Sequence, residues 1–272
     1  MIHCYHIKRT KTSPQDDIIR QKHSLNEGVV ILEIYKGFAG MYDEFMEDIP
    51  YDMWGDYIDK ILQKTKSSLV VDLACGTGNM TLRLAEKGYD MIGVDMSTDM
   101  LAMAQQKSWE AEQSILFLAQ DMRKLDLFGT IDAVVCVCDG LNYILNIADM
   151  TEIFKRVQLF LNPGGVFIFD MVTEYKFKEF LGQRSFEASG KSGISYELDN
   201  FYDEATRINE YQLYFSTGKE KFSEIHKQRA YEPSEIKDIL LKAGFAKVAA
   251  THEYTDEQPR DNSIRLTYVA KV

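Results

Sequence analysis

VVDLACGTGNM, residues 70–80, carries the reading on which the fold turns. Val70, Val71 and Leu73 flank Asp72 in a short apolar run, the pattern of a buried strand, and a loop of small residues with two glycines follows. Such a loop lets backbone approach a ligand closely. Its spacing departs from the two common phosphate loops. Thr81 stands where the dinucleotide fingerprint has its third glycine, and no G-x-x-x-x-G-K-[ST] follows.

Outward from this loop, strand and helix alternate. Strands are predicted at about 68–74, 90–95, 114–119, 131–138 and 165–170, and helices near 79–87, 98–109 and 148–160. Gly88 closes the first of these helices, and NPGG (162–165) reads as a turn before the fifth strand. Near-continuous apolar strands such as IDAVVCVC imply a parallel sheet buried on both faces, so the fold class is α/β. Residues 185–231 break the pattern with period-2 alternation and turns at SGKSG, DEAT and STGK, which implies three or four antiparallel strands. Pro233 then opens a short helix closed by Gly244, and two strands follow at about 246–254 and 264–271. Before the sheet, residues 34–64 are aromatic-rich and helical in period, with Tyr51, Trp54, Tyr57, Ile58, Ile61 and Leu62 on one face.

Composition bounds the partners. At 272 residues and 45% hydrophobic the chain can build one sizeable core. The net charge of −11, with no basic stripe beyond His6–Lys11, disfavours a long nucleic-acid track. No apolar run approaches the roughly 18 residues that span a bilayer, and the N-terminus lacks the apolar centre of a secretory signal. A cytoplasmic protein is expected. Cys4, Cys75, Cys136 and Cys138 form no C-x-x-C pair. Cys136 and Cys138, two apart on a predicted strand, share one face, so free thiols are expected.

Three acids end three successive strands: Asp72, Asp95 and Asp121. Asp72 would repel a pyrophosphate but suits an ammonium group. Asp95, 17 residues after Gly78, is placed to accept from both ribose hydroxyls, and Asp121 from an adenine amine, with Met96, Met122 and less favourably Met100 against the adenine face. The ligand that fits is an adenosine with a charged amino-acid tail and no phosphate. S-adenosylmethionine meets that description, and an NAD-dependent dehydrogenase is disfavoured by Thr81 and Asp72.

With these motifs in place, VDLACGTGN, GVDMSTDML and QDM resemble the motifs of class I S-adenosylmethionine-dependent methyltransferases, from about Tyr35 to the end of the chain. YKGFAGMYDEFM, CDGLNYI, FDM and the antiparallel insert resemble the bacterial YqeM type, whose acceptors are mostly unassigned. The resemblance implies a Rossmann-like, seven-stranded class I methyltransferase sheet with an inserted antiparallel β subdomain. The expected organisation is a leader over 1–31, a helical lid over 32–66, a cofactor-binding core over 67–184 and 232–272, and an insert over 185–231 covering the acceptor side.

The expected cofactor site comprises Tyr42, Asp72, Ala74, Cys75, Gly76, Thr77, Gly78, Asp95, Met96, Gln120, Asp121, Met122, Cys138 and Asp139. Ala74 replaces the relatives' usual glycine, a mild change provided the position does not need φ > 0. Tyr42 is the aromatic expected over the sulfonium, ahead of Tyr35 and Trp54. Asn142 and Tyr143 are candidates to face the acceptor. Cys138 lacks the neighbouring proline of the pyrimidine-carbon methyltransferases, so covalent catalysis is not expected, and the absence of an N-P-P-Y or D-P-P-Y tetrad argues against amino-group methylation of bases. His226 and His252 read as surface or core residues. Methyl transfer needs alignment and water exclusion more than acid–base help, so no catalytic residue is named. The expected function is in-line methyl transfer to a small-molecule acceptor, with no covalent enzyme intermediate. A cofactor-binding regulator without catalysis and a tRNA-nucleoside methyltransferase are the alternatives. The leader matches nothing in the family. Codons for Asn26-Glu27-Gly28-Val29 can contain AAGGAG, a ribosome-binding sequence, and Leu32 can be TTG, an alternative start, so the leader is expected to be translated upstream DNA or disordered.

Overall fold

The computed structural model describes residues 8–9, 29–31, 39–182, 184–189, 195–216 and 221–272. The expected turns at SGKSG and STGK, Tyr35, and most of the leader lie outside these described residues. In chain order the elements are β1 (Lys8–Arg9), β2 (Val29–Ile31), α1 (Ala39–Phe45), α2 (Tyr51–Thr65), β3 (Leu69–Leu73), α3 (Asn79–Glu86), β4 (Asp90–Asp95), α4 (Thr98–Glu110), β5 (Leu116–Ala119) and β6 (Ile131–Cys136). They continue with α5 (Ile147–Phe160), β7 (Leu161–Val172), β8 (Ser185–Ser189), β9 (Ser195–Asp203), β10 (Ile208–Ser216), β11 (Lys221–Arg229), α6 (Pro233–Ala243), β12 (Lys247–His252) and β13 (Arg265–Lys271).

Seven strands form the central sheet in the order β12-β13-β7-β6-β3-β4-β5. β13 runs against both its neighbours, and the other pairs are parallel. This is the seven-stranded, Rossmann-like sheet that the sequence resemblance implies. Its strands are apolar on both faces because both are covered. Val70 and Val71, Ala133 and Val134, and Ile168 and Phe167 point alternately to opposite sides. One side packs on α2, α3 and α4 through Ile58, Leu62, Met80, Leu84 and Met100. The other packs on α5 and α6 through Ile153, Phe154, Val157, Ile236 and Leu240.

Local signals set the helix ends. The Ser97 hydroxyl accepts from the Met100 N–H, the Asn146 side chain accepts from the Asp149 N–H, and Pro233 opens α6 with Glu235 accepting from the Glu232 N–H at 2.9 Å. In two places the backbone departs from expectation. Asn162–Gly165 is a bulge inside β7 rather than a turn before it: Ile131 pairs with Leu161 and Ala133 with Val166, and the extra residues loop out. β6 stops at Cys136, and Cys138 has φ 60°, so the two thiols do not share a strand face.

The second sheet has the order β1-β8-β9-β10-β11-β2, in which β8 to β11 form the antiparallel insert. Two short leader strands sit at its edges, β1 antiparallel to β8 and β2 parallel to β11. Phe45 of α1 packs edge-on against Tyr196 of β9, with ring centroids 4.4 Å apart, which joins the helical segment to the insert.

Candidate active site

The strand order reverses at β3, whose sequential successors lie on one side and β6 on the other. Loops after β3 and β6 therefore border a crevice at the C-terminal edge of the sheet, where open α/β sheets bind ligands. In the first loop Ala74, Gly76 and Gly78 have φ of 59°, 55° and 77°. Glycine adopts this region freely; for alanine it costs roughly 1–2 kcal/mol. The expectation that Ala74 is a mild replacement is therefore corrected: the position does need positive φ, and the chain carries the strain there. A Cβ on Gly78 would lie 3.0 Å from the Ala104 Cβ, so that glycine also allows close packing on α4. The loop leads into α3, whose first N–H groups lack partners within the helix and point out of its end.

Asp72 is fully buried at the end of β3. Its Oδ2 accepts from the Thr81 hydroxyl at 2.6 Å, while Oδ1 has no hydrogen-bond partner. Burial, reinforced by the nearby Asp95 charge, raises its pKa to about 7. Thr81, the residue that spoils the dinucleotide fingerprint, is thus the partner of the acid. Asp95 ends β4 and fastens the loop, accepting from the Gly76 N–H at 2.9 Å and the Ser97 N–H at 2.8 Å. Each of its oxygens retains a second lone pair for a hydroxyl. Burial raises its pKa against those hydrogen bonds.

Asp121 is held by Arg123, whose side chain forks onto both carboxylate oxygens at 2.5–2.9 Å and pulls the acid's pKa down. An adenine amine would compete with that surface ion pair, worth only about 0–1 kcal/mol. Gln120 is used locally, donating to the Asp126 carbonyl at 3.0 Å and accepting from its N–H at 2.9 Å. Met96 is 73% exposed at the crevice rim, Met122 is half-buried, and Met100 is core.

Two helices lean over the loop. Asp43 of α1 accepts from the Thr77 hydroxyl at 2.6 Å and the Asn79 side-chain amide at 2.9 Å, and its other oxygen meets Lys107 Nζ at 2.6 Å. This clasp was not anticipated, since an acid in an amphipathic helix looks like any solvated residue. Beside it, Tyr42 is buried within electrostatic reach of Tyr51, Cys138 and Asp139, and burial raises its pKa well above the ordinary value. The Cys138 thiol donates to the Tyr51 hydroxyl at 3.5 Å, and burial pushes its pKa up to about 12. Cys75 is likewise raised by burial. Neither thiol is a nucleophile at neutral pH.

Behind the second loop lies a buried ionic network. Cys138 and Asp139, both at positive φ, donate their N–H groups to Asp170 at 2.9 and 2.7 Å. Arg265 of β13 forks between Asp170 and Asp139, the latter at 2.6 Å, and Tyr254 donates to Asp170. Trp54 stacks on Tyr254, with centroids 4.6 Å apart, and lies under the Arg265 guanidinium. From the insert, Gln228 donates to the other Asp139 oxygen at 2.7 Å. Asp139 is thus fully buried among these partners. Asn142, a candidate to face the acceptor, is fully buried, and its amide ties Val172 and the Arg229 carbonyl together at 2.9–3.1 Å. Tyr143 remains half-buried, with its hydroxyl 2.9 Å from His226 and 3.0 Å from Tyr211. Among the described residues no group of His, Cys, Asp and Glu is arranged to hold a metal ion, and no helix is long and apolar enough to cross a membrane.

Known proteins are similar to this chain in sequence and fold. A methyltransferase domain family matches residues 70–165. The putative methyltransferase YqeM of Bacillus subtilis (strain 168) is 40% identical over 243 residues, which covers 88% of this chain and 97% of the relative. A glycine/sarcosine N-methyltransferase of Halorhodospira halochloris is 30% identical over 51% of this chain and 53% of its own length. The crystal structure of an S-adenosylmethionine-dependent methyltransferase from Clostridium acetobutylicum superposes with a TM-score of 0.78 at 30% identity, covering 88% of this chain and 99% of that one.

Proposed function

This chain belongs to the class I S-adenosylmethionine-dependent methyltransferases, and from that membership we propose that it methylates a small-molecule acceptor held between the α1–α2 lid and the β8–β11 insert. The observation that carries the reading is the unpartnered Oδ1 of Asp72, buried beside the first turn of α3. An amino-acid tail fits both: its ammonium at Asp72 and its carboxylate at the free N–H groups of the helix end. Asp95 would take the ribose hydroxyls, while Asp121, Met122 and the exposed Met96 would border the adenine. The cofactor supplies an already activated methyl group on a sulfonium. The chain's own work is then to orient, to exclude water and to stabilise positive charge. Tyr42 and Tyr51, brought against Cys138 by the two lid helices, would do this around the sulfonium.

A small acceptor accords with the glycine/sarcosine enzyme among the relatives. A cytoplasmic location accords with free cysteines and such a cofactor. Calorimetric binding of S-adenosylhomocysteine, weakened by Asp95→Ala, tests the cofactor site. Cofactor-dependent release of S-adenosylhomocysteine, screened over small amines, alcohols and carboxylates beside bulk tRNA, tests the acceptor. Release with tRNA alone would move the acceptor to a nucleoside, and tight binding without release from any pool would make the chain a cofactor-binding regulator.

A further inference from the structure

One strand of the insert, β11, turns a polar face inward, against the apolar residues that β8 to β10 bury. A sheet that covers a core ordinarily buries apolar side chains and exposes polar ones. On β11 the buried alternate positions are Glu224, His226 and Gln228, while Ile225 between them is half-buried and Lys227 is exposed. Gln228 is accounted for by Asp139. Glu224 and His226 are both fully buried, and the donor site described above uses neither. Burying a carboxylate and an imidazole forfeits hydration that an apolar pair would not miss, so their presence asks for a use.

Their geometry forms a chain that ends at Tyr143. His226 Nε2 lies 3.1 Å from Glu224 Oε2, and Nδ1 lies 2.9 Å from the Tyr143 hydroxyl. The imidazole stacks on Tyr211 with centroids 5.1 Å apart, and the Tyr211 and Tyr143 hydroxyls are 3.0 Å apart. The second Glu224 oxygen has no hydrogen-bond partner. Tyr143, the half-buried end, closes the turn Gly140–Tyr143 that follows Cys138 and Asp139. Gly140 in that turn abuts the glycine-rich loop: a Cβ there would lie 3.2 Å from the Ala74 Cβ. A carboxylate only accepts, so a neutral His226 bonded to Glu224 carries its hydrogen on Nε2 and offers the Nδ1 lone pair to Tyr143.

We propose that Tyr143, backed by His226 and Glu224, receives the proton that the methyl acceptor sheds, and that the acceptor is therefore an amine or a hydroxyl compound rather than a carboxylate. This rests on the reading of the chain as a small-molecule methyltransferase. In the step, the acceptor lone pair forms the new bond to the methyl carbon, and the methyl–sulfur bond breaks with its electron pair left on sulfur. The acceptor proton passes to the Tyr143 oxygen as the phenolic proton moves to His226 Nδ1, which leaves an imidazolium against Glu224. Tyr143 touches the acceptor; His226 and Glu224 are positioning residues.

Two measurements on the full chain decide the proposal. First, nitrogen-15 NMR of the imidazoles with S-adenosylhomocysteine bound, His226 being assigned by its loss in His226→Gln, should show the Nε2–H tautomer in the wild type and a changed His226 signal in Glu224→Gln. An Nδ1–H tautomer would overturn the relay without any acceptor being known, because His226 could then take no proton from Tyr143. Second, single-turnover formation of S-adenosylhomocysteine should occur with pools of amines or alcohols. It should slow at least about a hundredfold in Tyr143→Phe and tenfold or more in Glu224→Gln, magnitudes typical of lost general-base help, while calorimetric affinity for S-adenosylhomocysteine stays within about twofold. Turnover by carboxylates alone, or Tyr143→Phe reacting as fast as the wild type, would overturn it. Turnover with no pool at all would overturn the methyltransferase reading itself, and the tautomer result would show whether the proton-accepting geometry survives that failure.

Discussion

Acidifying the solution from pH 7.5 to 6.0 should weaken S-adenosylhomocysteine binding about eightfold through Asp72. Burial sets this carboxyl at about 7, with one oxygen bonded to Thr81 and the other unpartnered. In the free chain Asp72 is then about nine-tenths protonated at pH 6.0 and about a quarter protonated at pH 7.5. An ammonium seated at Oδ1 favours the ionised form, so binding must expel that proton. About 0.9 proton leaves at pH 6.0 and about 0.25 at pH 7.5. Calorimetry in two buffers of different ionisation enthalpy counts the protons at each pH. Asp95 is also raised by burial, but it is present in both the wild type and Asp72→Asn, so the difference between them isolates Asp72. The same shift acts on folding with a definite sign. The folded-state pKa lies above the ordinary carboxyl value of 3.8, so between pH 3.8 and about 7 the folded chain holds a proton that the unfolded chain has lost. Stability therefore falls as pH rises through that window and levels off above it, by about 4 kcal/mol in all. Asp72→Asn escapes the loss and should melt higher than the wild type at pH 7.5, yet bind the cofactor product more weakly. Equal proton counts and equal pH dependence in the two proteins would refute the assignment of Asp72 to an ammonium.

Ala74→Gly relieves a left-handed alanine and should raise stability by about 1 kcal/mol, roughly 2–4 °C in melting temperature by scanning calorimetry, after the greater flexibility of glycine in the unfolded chain is counted. Asp43→Ala removes three partners of the lid at once. It should cost about ten- to a hundredfold in S-adenosylhomocysteine affinity by calorimetry, given roughly 1.5–3 kcal/mol for a hydrogen-bonded charge; unchanged affinity would show that α1 does not act as a lid. Cys138, pushed up to about 12, is about one part in ten thousand thiolate at pH 8, so iodoacetamide followed by mass spectrometry should leave it unlabelled while the chain is folded. Labelling at the rate of an unfolded control would restore it as a possible nucleophile.

The sheet and its loop were legible because each signal is local. An apolar run bounded by a small-residue loop reads as a buried strand wherever it falls, and β3, β4 and β6 begin or end within two residues of expectation. The acids at 72 and 95 could be placed because a strand end is a position that sequence marks. Asp121 shows the limit: Arg123 two residues on was in plain view, but an exposed i, i+2 pair looks like any solvated surface until the turn folds it back. Ala74 was misjudged for a related reason. Its backbone angle belongs to the loop as a whole, and only the neighbouring glycines hinted that positive φ recurs there.

Other parts of the site depend on pairings that no local pattern encodes. Arg265 lies 95 residues from Asp170 and 126 from Asp139, and they meet only because β13 slots antiparallel beside β7. β11 is more instructive, since its alternation was seen but its inward face could not be assigned. The ordinary rule would turn Ile225 inward and expose Glu224, His226 and Gln228; the register of Tyr211 with His226 and Leu213 with Glu224 fixes the opposite. An inverted face of this kind contributes less to folding than an apolar one of the same area, because buried polar groups gain little net from their hydrogen bonds and cost when left unpaired. Where a strand gives up that stability, the exchange is best explained by what the polar side chains do for a ligand, and the failure of the local rule at β11 is what joins His226 and Glu224 to Tyr143.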